Sequence, residues 1–108
     1  MGHTENVAAE IVAERERQKA VEGWTPEHDD AHKDGQLADA AGCYALYAAA
    51  EIRVPGMVGG HPAFEWPWER AAWNPKGPRR DLIRAAALIV AEIERIDRAA
   101  RAANGGAH

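Results

Sequence analysis

At 108 residues the chain has room for one domain, and chains of this size bury roughly 60–70% of their unfolded surface, which leaves a thin core. The 46% hydrophobic content includes 24 alanines, which bury little area each but let helices approach closely, so close-packed helices and oligomerisation are expected. A formal charge of −4 disfavours broad nucleic-acid binding, the lone Cys43 excludes an intramolecular disulfide framework, and no apolar run approaches the ~20 residues of a membrane span.

The opening Met1-Gly2-His3-Thr4-Glu5-Asn6 lacks the basic-then-apolar order of a signal peptide, so a cytoplasmic protein with no membrane contact is expected. Thr4 as N-cap, apolar Val7, Ile11 and Val21, and a closing Gly23 predict a first helix over about 5–22. Glu14, Gln18 and Glu22 fall on the face of Val7 and Ile11, so polar groups continue an apolar stripe. That face either emerges into solvent or lines a polar pocket.

Thr25-Pro26-Glu27 has the grammar of a second start, with Thr as N-cap, Pro at the first helical position and an acid that suits the helix dipole. A short helix over 26–33 follows, with His28 and His32 four apart on one face and Asp29 and Asp30 on its flanks. Two histidines at that spacing can chelate a divalent cation, the one candidate cofactor, although spacing supplies no third ligand. Capping, surface charge or hydrogen bonding to a ligand would use the same residues. The whole of 14–34, dense in carboxylates with two histidines and Trp24, looks more like a site than a connector.

Asp34-Gly35 restarts the chain into a helix from Gln36 to about Arg53, apolar nearly all round, as a central helix would be. Leu37, Ala41, Tyr44, Ala48 and Ile52 form one stripe; Tyr44, Tyr47 and Cys43 read as core, and Asp39 is an acid in the first turn. Residues 54–78 carry too many prolines and glycines for regular structure, beyond one turn near 67–73. Trp66, Trp68 and Trp73 within this loop either pin it to the helices or floor a pocket, and one ring can do both.

A last helix opens after Pro78 and runs to about Ala103, closed by Asn104-Gly105-Gly106. Leu82, Ala86, Ile89, Ile93 and Ile96 step by four and three, the seam of packed antiparallel helices. At ~1.5 Å per residue this helix is about 37 Å long, enough to outreach its neighbours and supply a dimer contact. Lys76, Arg79, Arg80 and Arg84 gather at its start, where free backbone N–H groups and guanidinium forks suit a phosphate, with Asp81 placed to orient an arginine.

Taken together, Glu14-Arg-Glu-Arg-Gln18, Glu22-Gly-Trp-Thr-Pro-Glu-His-Asp-Asp30, Ala40-Ala-Gly-Cys-Tyr-Ala45, Trp66-Pro-Trp68, Trp73-Asn-Pro-Lys76, Arg79-Arg-Asp-Leu-Ile83 and Ala91-Glu-Ile-Glu-Arg95 resemble a family of small tailed-phage and prophage proteins. The opening run and the last helix more distantly resemble MazG-like, all-α nucleoside triphosphate pyrophosphohydrolases. That likeness implies magnesium held by Glu-x-x-Glu on one helix and Glu-x-x-Asp on the next. Here Asp39 stands alone on its helix, and Asp81 is followed by no acid until Glu92, so the paired carboxylates are missing.

The expected fold is all-α, a single domain over 1–108 with three main helices, short helical turns and a Trp/Pro/Gly-rich loop. Three functions compete. In the first, a nucleotide-like small molecule is bound, and in a phage setting a host nucleotide signal sequestered, by Gln18, Glu22, Trp24, His28, Asp29, Asp30, Trp66, Trp68, Trp73, Lys76, Arg79, Arg80 and Arg84. The second is a divergent metal-dependent hydrolase drawing on Glu14, Glu22, His28, Asp29, His32 and Asp39. The third is a protein-interaction module whose tryptophans are all anchors.

Overall fold

Alternating helix formers and turn chemistry give an all-α protein. A computed structural model describes residues 2–56, 59–62 and 65–105, and within them there is no strand. The elements are α1 (His3–Val21), α2 (Pro26–Asp30), α3 (Gln36–Arg53), a 3-10 turn (Arg70–Ala72) and α4 (Pro78–Ala103). None of these helices is long and apolar enough to cross a membrane. Met57, Val58, Ala63 and Phe64 of the long loop, and Gly106 of the expected C-terminal stop, lie outside the described residues.

Local chemistry explains most boundaries. Gly23 takes a φ of 76°, and this lets the Trp24 N–H reach back to the Gln18 carbonyl at 3.0 Å, closing α1 and fixing Trp24 beside it. The Thr25 hydroxyl accepts from the His28 N–H at 3.3 Å, as an N-cap should. Helix α1 begins two residues earlier than expected, with Gly2 rather than Thr4 at the N-cap. Helix α2 stops at Asp30 rather than 33. The Ala31 and His32 N–H groups bond only three residues back, and the His32 ring joins Ala31 on the His28 carbonyl at 2.8 Å, so the helix tightens into a 3-10 end there.

Helix α4, not α3, is the hub: α1, α2 and α3 all pack on it. Between α3 and α4 lies an apolar core of Leu37, Cys43, Tyr44, Leu88 and Ala91, roofed by Trp24 and Trp73. The expected seam of α4 is overturned. Leu82, Ile89, Ile93 and Ile96 are 44–53% exposed, while Asp81, Arg84, Leu88 and Ala91 face inward. Periodicity identifies an apolar face but not which of two faces is covered. The covered face is itself mostly small and apolar, Ile83, Ala85, Ala87, Leu88 and Ala91, and it also holds the ions Asp81 and Arg84, which are satisfied by each other and by partners from α1 and α3.

Candidate functional site: a cationic cavity beside an aromatic ladder

Helix α1 meets α4 through charge rather than hydrocarbon. Glu14, Arg15, Gln18, Asp29, Asp81 and Arg84 are all buried. Burying an ion is costly unless it is paired and hydrogen-bonded, and each of the five ions here has a charged partner, although Arg15 Nε and the Gln18 side-chain oxygen form no hydrogen bond. Arg15 donates to the Trp24 carbonyl at 2.9 Å and to Asp29 Oδ2 at 2.5 Å. Arg17 forks onto both oxygens of Glu14 at 2.9 and 3.0 Å and reaches Glu22 at 3.1 Å, and Arg80 closes on Glu14 from α4. Gln18 Nε2 donates to Glu14 at 3.2 Å and to the Arg84 carbonyl at 3.4 Å. The polar end of the α1 stripe is therefore covered by α4. Arg15 was missed as a structural residue, yet the signal was present: alternating charges along 14–17 sweep round a helix, so one of the arginines must point inward.

Burial opposes ionisation of Glu14, but the hydrogen bonds and charge of Arg17, together with the charge of Arg80, outweigh it and hold the carboxyl below its ordinary 4.5. A folded-state pKa below the unfolded one contributes stability above the unfolded value and loses it as pH falls through the folded one. Acidification below pH 4.5 should therefore lower the melting temperature, and Glu14→Gln should flatten that acid limb. Superimposable melting curves for the two proteins across pH 5 to 3, taken as a range of about one unit either side of ordinary carboxylate titration, would refute the assignment.

Above this layer opens a cavity of about 260 Å³ lined by Arg17, Glu22, Asn74, Lys76, Arg80 and Arg84. Arg84 is held by the Asn74 carbonyl, by the Tyr44 hydroxyl at 2.6 Å and by Asp81 at 3.4 Å, with its guanidinium 4.2 Å from the Tyr44 ring centre. Burial pushes the Tyr44 phenol up, with the nearby Arg84 charge working against it. Asp81 does orient an arginine, and it also accepts from the Lys76 and Gly77 N–H groups at 2.8 and 3.3 Å. Two amides expected to be free for an anion are thus taken by the protein's own carboxylate. Arg79 leaves the cluster altogether, bidentate on Glu10 at 2.8 and 2.7 Å. Around the cavity four cations (Arg17, Lys76, Arg80, Arg84) meet three carboxylates (Glu14, Glu22, Asp81), an excess of one positive charge.

The aromatics form a continuous ladder. Trp24 meets Trp68 at 5.1 Å between ring centres, Trp68 meets Trp66 at 5.4 Å, Trp66 meets Trp73 at 5.0 Å, and Trp73 stacks on Tyr44 at 4.7 Å. Tyr44 carries the ladder to Arg84. Within the loop Trp73 Nε1 donates to the Gly60 carbonyl at 2.7 Å and Trp66 Nε1 to that of Glu69 at 2.9 Å, while the rings of Trp73 and Trp66 join the loop to Tyr44 of α3. Trp73 is buried, whereas Trp66 and Trp68 keep part of their surface. A hollow of about 510 Å³ lies against Trp24, His28, Pro67 and Trp68, and another of about 500 Å³ against Gln36, Asp39, Glu65 and Trp66. Glu22, on the cationic cavity, and Trp24, on the aromatic hollow, are two residues apart in the chain, and Tyr44 links the ladder to Arg84 of the cavity.

The remaining candidates scatter. Asp29 is sealed under Arg15; Asp30 pairs with Arg98 at 2.9 Å on the far side of α2; Gln18 is fully buried beneath the cavity. His28 and His32 stack at 4.3 Å, with His28 Nδ1 on Asp29 at 3.1 Å and His32 Nδ1 on the His28 carbonyl. Among the described residues no three His, Cys, Asp or Glu side chains are grouped to hold a metal ion. The donor set at the histidine pair does not fit a divalent cation, because Asp29, its nearest carboxylate, is spent on Arg15. No protein-family model matches the chain, and neither a curated protein nor a solved structure matches it.

Proposed function

We propose that the protein binds a small phosphorylated ligand of nucleotide type. Its phosphate sits among Arg17, Lys76 and Arg80, and its base lies against the part-exposed ring of Trp68, beside the buried Trp24. The observation that carries this reading is the convergence of four cations on one cavity that the aromatic ladder reaches through Tyr44 and Arg84. Arg is suited to phosphate because its fork donates two parallel hydrogen bonds, and an indole face accepts any base. The motif order shared with small tailed-phage proteins supports a setting in which the ligand is a host nucleotide signal, held rather than transformed. A hydrolase reading has less behind it, since Glu14 and Asp29 are committed to arginines and Asp39 faces a different hollow.

Mass spectrometry of a nucleotide panel, incubated with protein and magnesium, filtered and then released by heating, tests the reading. A nucleotide that leaves the filtrate and returns intact supports it, and one that returns cleaved makes the protein an enzyme. For the bound nucleotide, Arg80→Ala should weaken affinity about 10–100-fold, the worth of a hydrogen bond to a charged group. The melting temperature should barely move, because Arg80 is 44% exposed and Arg17 still holds Glu14. Unaltered affinity would place the phosphate elsewhere.

One observation favours a second reading. Arg17, Arg80 and Arg84 each already bond a carboxylate within the fold, so the cluster also makes sense as a brace between α1, α4 and the loop. The protein would then be an interaction module, and a panel left wholly in the filtrate is the result it requires.

A further inference from the structure

Beyond any ligand, the exposed face of α4 defines a partner. Leu82, Ala86, Ile89, Ile93 and Ile96 follow steps of four, three, four and three, the spacing with which one helix fits a second of the same kind. Leu82, Ile89, Ile93 and Ile96 are 44%, 49%, 53% and 51% exposed, while the opposite face of the same helix packs on α1, α2 and α3. Apolar surface continues sideways, where Val90 and Val12 of α1 share a shallow groove of about 110 Å³. We propose that two copies of the chain pair through this outward seam of α4, related by a two-fold axis.

The area suits that occupant. The seam and Val90 present on the order of 400 Å² of apolar surface per protomer, about half of the ~800 Å² per partner of a stable interface. The flanking α1 groove and the alanines and polar residues beside the seam supply the rim. Charge suits it in part. The seam itself has no ionised group, and of the acids beside it Glu92 pairs with Arg95 at 2.6 Å and Glu94 lies 3.9 Å from Arg15, while the exposed Asp97 beside Ile96 has no ion pair among the described residues. Two such faces meet without leaving a like charge unmatched at Glu92 or Glu94. An anionic bilayer is a poorer partner for a seam bordered by acids.

Shape agrees. The radius of gyration is 15.0 Å, against ~13 Å for a compact chain of this length. The least extent is only 22 Å, about two helix diameters, so the molecule is a plate with α4 in its open face. Stacking two plates on that face gives each seam a cover that a single copy cannot provide. This inference rests on packing alone and stands whether or not a nucleotide binds.

Sedimentation equilibrium of the full chain tests it, read between about 1 and 100 μM, the range in which interfaces of modest size dissociate. The expected mass is twice 11.7 kDa. Ile93→Glu should raise the dissociation constant by more than ~100-fold through a charge buried at the centre of the seam, and the milder Ile93→Ala by ~10-fold. Val21→Glu, more exposed than Ile93 but off the seam, should leave the dimer intact. A wild-type mass of one chain across the range overturns the proposal, as does an Ile93→Glu protein that stays dimeric. Should Ile93→Glu lose its helical circular dichroism, Ile93→Ala decides: unchanged dimerisation overturns the proposal, and weakened dimerisation supports it.

Discussion

Asp29→Ala is expected to destabilise the protein by about 3–5 kcal/mol, the penalty for removing one partner of a buried ion pair. Asp29 is fully buried between Arg15, itself 4% exposed and bonded at 2.5 Å, and the His28 ring, whose Nδ1 lies 3.1 Å from the other carboxylate oxygen. Without the carboxylate, Arg15 keeps the Trp24 carbonyl but no counter-charge at that distance, its second carboxylate neighbour, Glu94, being 3.9 Å away. A guanidinium cannot discharge itself by losing a proton, so the cost must appear as unfolding or as displacement of the 24–30 segment. For a chain of about 100 residues this means a melting temperature lower by at least ~12 °C. Asp29→Asn, which keeps an acceptor without the charge, should fall between the two. An Asp29→Ala protein that melts like wild type would show that Arg15 finds solvent, and that the charged layer under α4 is not what holds α1.

The second large effect falls on the loop. Trp73→Ala should cost about 3–5 kcal/mol, the range for deleting a buried aromatic side chain. Trp73 is 8% exposed, stacks on Tyr44 at 4.7 Å, meets Tyr47 edge-on at 5.4 Å and holds the Gly60 carbonyl. Its loss removes one of the two rungs that join the tryptophan loop to Tyr44 of α3, the other being Trp66 edge-on at 5.5 Å, so Trp66 and Trp68 lose part of their support and any ring-stacking ligand part of its platform. Trp73→Phe separates the parts: it keeps most of the ring packing and forfeits the hydrogen bond, at about 1 kcal/mol. Melting temperature and proteolysis of the 54–77 loop are the readouts. A Trp73→Ala protein with wild-type melting and an uncut loop would remove Trp73 from the core.

Much of the local structure was legible because it is encoded locally. Gly23 and Gly35 mark breaks by adopting left-handed φ values, Thr25-Pro26 starts α2, and Gly77-Pro78 starts α4. The helical turn expected near 67–73 appears as the 3-10 turn at Arg70–Ala72. Part of the site was legible for the same reason: Lys76, Arg80 and Arg84 are close in sequence and on one end of a helix, so they arrive at the same place. Arg79 was not separable from them. One residue is a rotation of about 100°, and only the position of Glu10 on α1 shows which way that rotation aims the side chain.

By itself, then, the amino-acid sequence determined an all-α chain, where its helices begin and end within a few residues, and which side chains could serve a phosphate or a base. Only the tertiary structure decided that α4 is the hub, that Glu14, Arg15, Asp29 and Asp81 are buried as paired ions, and that the isoleucine seam faces out. The reason is physical. Helix formation and capping depend on neighbours within a turn, whereas covering a face depends on which distant side chains neutralise it. Two apolar stripes on α4 compete for burial, and the one that carries Asp81 and Arg84 beside Leu88 and Ala91 is inside, its ions satisfied because Arg84 meets Tyr44 and Asp81, while Glu14 meets Arg17 and Arg80 and Asp29 meets Arg15 in the adjoining layer.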